Sequence, residues 1–372
     1  MGHSRVGALA AAAAIVTLAA PTAAQALTKQ VYMGLPPKAQ TKFIDPKYDA
    51  DAIDFFPHTA TVHVGDSVRF SATAFHQFDL PAKGKKPVEL LVPGAPIANS
   101  LDAAGVPYWF NGLPNFGFNS ALVSGNPPVN YDPWKTAKGK GRFVTYTGAK
   151  GVASPIPFED NPKPITVKFA KAGSYTYYCD LHAGMKGVVK VLPKSKKIPG
   201  AKADAAALKK QIDRDFAIAK TLNKTKMPAN TISVGYAGNF GVEYFGYLPK
   251  TTTVPVGTTV RFQMSPKSFE DHTATTGPGD PIKDANSYLG IIAASFFQQS
   301  FVPQGVYPSQ PFGQVATLTP QSHGNGFWNT GALDVQAATP QPDSASVTFG
   351  APGTYQFYCM VHPQMHGTVI VN

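Results

Sequence analysis

Apolar and polar positions alternate in short runs along this chain, the period expected of half-buried β-strands. Val62 and Val64 alternate with polar neighbours, Gly65-Asp66 turns the chain, and Val68 and Phe70 resume the alternation. Further on, Val167 and Phe169 alternate, Gly173 makes a turn, Tyr175 and Tyr177 alternate into Cys179, and Gly187 to Val191 reads as a closing strand. Short antiparallel strands joined at glycine turns predict a sandwich or a closed barrel. One stretch has a different texture. Ala203 to Lys224 is rich in Ala and Lys and lacks Gly and Pro, and Leu208, Ile212, Phe216, Ala219 and Leu222 fall at helical spacing. That pattern predicts one amphipathic helix, ended by Met227-Pro228, whose apolar stripe packs on a neighbouring domain.

The strand pattern occurs twice. The segment Val167 to Val191 recurs 180 residues later as Val347 to Val371, with 11 of 25 aligned positions identical. The identities include Gly173/Gly353, Tyr175/Tyr355, Tyr178/Tyr358, Cys179/Cys359, His182/His362, Met185/Met365 and Gly187/Gly367. Val62, Val64, Gly65, Val68, Arg69 and Phe70 likewise match Val254, Val256, Gly257, Val260, Arg261 and Phe262. Thr147-Gly148-Ala149 against Thr330-Gly331-Ala332 is a third, weaker match. A tandem duplication explains all of this. The expected organisation is a signal peptide over 1–26, one domain over 27–193, a basic linker with the helix over 194–228, and a second domain over 229–372.

Composition agrees with that picture. Gly and Pro number 34 each in 372 residues and 15% of residues are charged, so the chain reads as turn-rich and all-β, with room for two cores. At the N-terminus, Arg5 precedes the uncharged apolar run Val6 to Ala20, and Thr22-Ala23-Ala24-Gln25-Ala26 offers a cleavage site after Ala26. These are the marks of a secretory signal peptide, so a secreted or periplasmic protein is expected, without a transmembrane segment. The net charge of +11 is unevenly spread: residues 1–228 carry 29 Lys and Arg against 15 Asp and Glu, and residues 229–372 carry 4 against 7. A basic half suits an acidic partner protein or an anionic cell envelope, and export argues against nucleic acid.

The chemistry lies in Cys-x2-His-x2-Met, found at Cys179-His182-Met185 and Cys359-His362-Met365, each at the end of a strand. A type 1 copper site needs one thiolate and two imidazoles in a plane, with a weak thioether on the axis. The Cys, one His and the Met can share a tight loop, and the second His must come from elsewhere. His76 and His272 are the candidates, because each follows its repeat's Val-Arg-Phe strand by a few residues. His63 is a poorer choice, since its repeat partner is Pro255. His58 aligns with Lys250 and His323 has no counterpart, so both read as ordinary residues, and His366 is the only extra His near a ligand loop.

The order His…Cys-x2-His-x2-Met, with aromatic residues before the Cys and Gly two places after the Met, resembles the cupredoxins, the blue copper family of plastocyanin, azurin and amicyanin. The resemblance implies two tandem Greek-key β-barrels or sandwiches, two type 1 coppers, and electron transfer with a redox partner protein. It implies His76, Cys179, His182 and Met185 as one ligand set, and His272, Cys359, His362 and Met365 as the other. The sequence departs from the family in two ways. Pro87 to Gly151 and Pro281 to Gly331 look like insertions, and Gln77 and Thr273 stand where Asn is frequent.

Other functions are weighed against this. Two cysteines in an exported protein suggest a disulfide, but here they hold the same position in separate repeats. Multicopper oxidases and nitrite reductases place additional copper on His-x-His pairs and on a His beside the Cys, whereas this chain has no His-x-His and Tyr precedes each Cys. Extracellular copper sequestration or delivery is the alternative to electron transfer, with Met360 adding a soft donor near the second loop.

Overall fold

The computed structural model describes residues 26–123, 142–158, 162–298, 300–335 and 341–372. The expected signal peptide, apart from Ala26, lies outside the described residues. Within them the alternating segments form strands. In the first half, one sheet runs in the order Phe55–Phe56, Thr28–Met33, Ser67–Ala72, Ile165–Phe169, Arg142–Tyr146. The facing sheet runs Val152–Ala153, Asp79–Leu80, Gly173–Tyr178, Lys186–Leu192, Thr59–His63. Inward-pointing residues of both sheets, among them Val31, Phe70, Phe78, Val167, Phe169, Tyr177 and Val189, make one core. Cys179 and Met185 sit at its end.

The second half repeats the plan. Val254 pairs with Val371 as Val62 pairs with Val191, so the repeat read from the sequence is also a repeat in strand register. Its sheets are ordered Ala316–Leu318, Ser344–Phe349, Thr259–Gln263, Thr231–Ala237, Val242–Leu248, Ala50–Ala52, and Thr251–Val254, His366–Val371, Gly353–Tyr358, Thr275–Thr276, Trp328–Asn329. The weaker match of Thr147 to Thr330 does not survive. Tyr146 pairs with Phe169 and Leu318 with Phe349, so the structural counterpart of Thr147 is Thr319.

The last strand of the longer sheet, Ala50–Ala52, belongs to the first half of the sequence and pairs antiparallel with Val242–Tyr244. The helix, Ala201–Leu222, is wedged beside this crossing strand and ends one turn before Met227-Pro228. Its Leu208, Ile212, Phe216, Ala219 and Leu222 pack among Phe43 and Phe56 from one half and Val242 and Tyr244 from the other. Two polar residues, Gln211 and Asp215, also face inward. Gln211 donates to Asp54 Oδ2 and Phe55 O at 3.0 Å each and accepts from the His58 amide at 2.9 Å, so its amide group is satisfied while buried.

The insertions are structured where described. The first contributes the hairpin Leu91–Pro96/Pro114–Phe118, and the second the helix Tyr288–Ser295, capped at its start by the Ser287 side chain. They pack on each other into a further apolar core that includes Phe110, Phe116, Leu289, Ile292, Tyr307 and Phe327. Polar contacts close the same seam: Trp109 Nε1 donates to Pro308 O at 2.8 Å, and Tyr307 Oη to Pro114 O at 2.6 Å. Each insertion has too little core of its own, and each supplies the other's apolar cover.

Candidate metal centres

In each half the strand after the glycine turn runs into Cys-x2-His-x2-Met, and the loop doubles back at once. Cys179 N donates to Met185 O at 3.1 Å and Met185 N to His182 O at 2.9 Å. In the second half Cys359 N donates to Met365 O at 3.0 Å and Met365 N to His362 O at 2.8 Å. The two-residue spacings therefore close a tight loop that puts Cys, His and Met at one end of the core. His76 and His272 arrive just before Asp79–Leu80 and Thr275–Thr276, the strands paired directly beside the one that ends in each cysteine.

The donor atoms converge. His76, Cys179 and His182 form one group and His272, Cys359 and His362 the other, each with its ligand atoms within 4.8 Å of one another. In the first, the two imidazole Nδ1 atoms are 3.0 Å apart, and the sulfur lies 3.3 Å from His182 Nδ1 and 4.0 Å from His76 Nδ1. In the second, the Nδ1 atoms are 3.2 Å apart, and Cys359 Sγ lies 3.7 Å and 3.8 Å from those of His272 and His362. Both cysteines are free thiols. Each sulfur also accepts a backbone N–H at 3.3 Å, from Gln77 and from Thr273. The residues after His76 and His272 thus reach the sulfur through their amides. Thr273 adds a bond, its Oγ1 accepting from Met360 N at 2.8 Å.

Each histidine that points Nδ1 at its sulfur needs a partner for Nε2, which fixes the tautomer. His272 Nε2 meets Glu243 Oε1 at 3.0 Å, and both side chains are fully buried. Ser268 Oγ donates to the same carboxylate, 2.6 Å from Oε1 and 2.8 Å from Oε2. His182 Nε2 lies 3.1 Å from Glu270 Oε1, and His362 Nε2 lies 3.6 Å from Glu270 Oε2. His76 Nε2 is buried with no hydrogen-bond partner among the described residues. Glu243 and Glu270 were missed in the sequence. A faint signal existed for Glu270, an acid two residues before a ligand histidine in a half that carries seven acids.

Charges follow from this geometry. Burial alone would strip the proton from His272, yet its bonds to Cys359 and Glu243 push it up to about 10. The Cys359 thiol goes the other way. Burial would raise it, and the two histidines bring it down to about 5. Burial likewise opposes ionisation of Glu270, but His182 and His362 hold it below the usual carboxylate range. His76 is pushed well below an ordinary histidine by burial and by the charge of His182. Two imidazoles and a thiolate aimed at one point, sharing protons a metal can displace, form a donor set that copper fits. Met185 and Met365 are buried in the same cores as the sulfurs.

The remaining described histidines stand apart from both clusters. His58 pairs with Asp54 at 3.0 Å, His63 with Lys196 O at 2.7 Å, His323 with Asp102 at 3.2 Å, and His366 with Gln364 O at 3.0 Å. A cavity of about 420 Å³ lies between the two clusters. His76, His182, Glu270 and His362 line it together with Phe116, Phe118, Phe245 and Phe297.

No family model matches the chain, and no curated protein matches it. Among solved structures, the oxidized plastocyanin of the fern Dryopteris crassirhizoma is similar at 19% identity over 38% of this chain and 99% of that one, with a TM-score of 0.20. A mutant of amicyanin in its Cu(I) form is similar at 15% identity over 40% of this chain and 87% of that one, also at 0.20. Those superpositions are loose, and the class of site rests on the donors instead. Two His-Cys-His groups, buried except for a partly exposed His362, each with a Met on the same loop, resemble type 1 copper sites.

Proposed function

We propose that this protein is an exported electron carrier with two mononuclear type 1 copper centres, His76/Cys179/His182/Met185 and His272/Cys359/His362/Met365. The observation that carries this reading is the convergence of two Nδ1 atoms on a buried thiol, twice, on equivalent loops. A bound copper ion would supply reversible one-electron chemistry. The protein's part is to prearrange the donors. The amides of Gln77 and Thr273 hold negative charge on the sulfurs, and the Nε2 partners keep three of the four imidazoles oriented. The sulfurs themselves are buried in their cores, so little rearrangement of the donors accompanies a change of charge.

Copper sequestration is the other reading. It calls for an accessible soft site. Both thiols are buried, and Met360 is enclosed in the core made by the insertions, which favours the carrier. Without a His-x-His pair, we read the chain as a carrier and not an oxidase. Lys194, Lys196, Lys197, Lys209 and Lys210 lie on or beside the helix, and this basic face would meet an acidic redox partner or anionic envelope. Such attraction weakens as the screening length falls from about 10 Å at 0.1 M salt to about 3 Å at 1 M.

Copper titration followed by absorption and paramagnetic resonance tests the main claim. Two equivalents should give intense thiolate-to-copper bands. Cys179→Ser should remove one set and Cys359→Ser the other. A variant that kept the full wild-type spectrum would disprove the assignment of that centre.

A further inference from the structure

His182 and His362 belong to different halves of the chain, yet both turn their outer edges to one residue. His182 Nε2 lies 3.1 Å from Glu270 Oε1, and His362 Nε2 lies 3.6 Å from Glu270 Oε2, one oxygen for each ring. The inner nitrogens of the same rings face the two sulfurs, at 3.3 Å for Cys179 and 3.8 Å for Cys359. Glu270 is itself buried, 9% exposed. Its backbone N–H donates to Ser268 Oγ at 3.1 Å, and that hydroxyl is anchored on Glu243. A single carboxylate therefore spans the two clusters, with one hydrogen bond and one ion-pair contact completing the line.

We infer that Glu270 is a positioning residue shared by both centres, which locks the two outer imidazoles in register and forms the path by which the centres exchange electrons. This rests on the carrier reading above. The path runs Nδ1–Cε1–Nε2 of His182, the carboxylate, then Nε2–Cε1–Nδ1 of His362. The exchange moves one electron: one centre is oxidised by one, the other is reduced by one, and no bond is made or broken. A carboxylate is suited to the post because its two oxygens can face two imidazole edges from opposite sides, holding His182 by a close contact and drawing the Nε2 edge of His362 toward the same group. The rival connection is Phe245, whose ring centroid lies 5.1 Å from that of His362 and 5.9 Å from that of His272, and which packs on both cores.

The full-length, copper-loaded protein provides the test. Pulse radiolysis would reduce one centre, and absorption would follow the electron to the other, with the single-Cys variants assigning the bands. The wild type should show a phase independent of protein concentration. Glu270→Gln and Glu270→Asp should each slow it at least tenfold, while Phe245→Leu should stay within twofold. A second readout needs no metal: in imidazole ¹⁵N spectra of the metal-free protein, Glu270→Gln should move the Nε2 signals of His182 and His362 together. Rates within twofold of wild type in both Glu270 variants, or movement of only one histidine, would overturn the bridge. A wild type with both sets of thiolate bands but no inter-centre phase would overturn it too. A wild type with no such bands would instead sink the carrier reading, and the metal-free spectra would still report whether Glu270 holds both rings.

Discussion

The two centres are built from the same residues on equivalent strands, yet they differ behind the histidine that comes from outside the loop. In the first, His76 Nε2 faces no acceptor among the described residues, and burial with the neighbouring charge of His182 pushes that ring well below an ordinary histidine. In the second, His272 rests on Glu243, a fully buried carboxylate itself held by Ser268. Duplication thus kept the ligands and let their supports diverge. A neutral ring with no carboxylate behind it stabilises the added positive charge of an oxidised metal less well than one backed by an anion. The second centre should therefore have the lower reduction potential, and electrons entering at it should run downhill to the first.

The comparison breaks most sharply at Glu243. Glu243→Ala strands a buried imidazole and should cost the metal-free protein about 3–5 kcal/mol, the usual penalty for removing one partner of a buried pair. Thermal unfolding would measure the loss. Glu243→Gln should keep the fold and raise the potential of the second centre alone, narrowing the gap between the two. An unchanged gap would mean that the carboxylate does not set it.

Next come two glycines that the strand register makes equivalent, Gly34 and Gly235. Both have positive φ, +90° and +73°. A Cβ on Gly34 would lie 2.7 Å from His76 Cδ2, and one on Gly235 would lie 2.4 Å from His272 Nε2. Gly34→Ala should perturb the first centre's spectrum and Gly235→Ala the second's, each costing about 1–3 kcal/mol through backbone strain and crowding. Chemical denaturation and absorption spectra together would show whether each effect stays in its own half.

Weaker still should be Met185→Gln and Met365→Gln, which keep copper while shifting the potential of one centre each, since an axial donor tunes more than it binds. Loss of copper from either would mean that this methionine supplies a main share of the affinity. A last effect belongs to neither centre. Burial raises the Asp215 carboxyl from 3.8 to about 7, with Arg214 opposing. The folded chain then keeps a proton that the unfolded chain releases above about pH 4. This contribution to stability is full below pH 4 and declines as pH rises through about 7. Asp215→Asn should flatten that slope without touching either spectrum, as paired melting curves across the range would show.

Much of this was written in the chain. Alternation around Val62, Phe70 and Val167 placed the strands, and the repeated Cys-x2-His-x2-Met loops are local enough to be read directly. His76 and His272 were reachable through their offset from a repeated strand. Glu270 and Glu243 were not, because nothing in a run of residues says which acid will be buried against which ring across a fold. The insertions read only as interruptions of the repeat for a related reason. Phe116 and Tyr307 lie far apart in sequence, and the core they share exists only once both halves are in place. The helix periodicity gave its stripe correctly and gave no hint that Gln211 and Asp215 also face inward.

The strand Ala50–Ala52 carries a further implication. It leaves the first sandwich, completes the edge of the second half's longer sheet, and returns within a few residues: Ile53 N still donates to Gly241 O at 2.8 Å, and Gly34 N to Asp54 O at 3.1 Å. The halves of this chain are laced and not merely tethered. Cleavage in the basic stretch near Pro199 would sever the peptide yet release nothing, whereas expressing residues 229–372 alone would leave a bare sheet edge, the kind of exposed ladder that recruits other chains. What began as two copies in a row has become a single object that cannot be taken apart at the seam where it was joined.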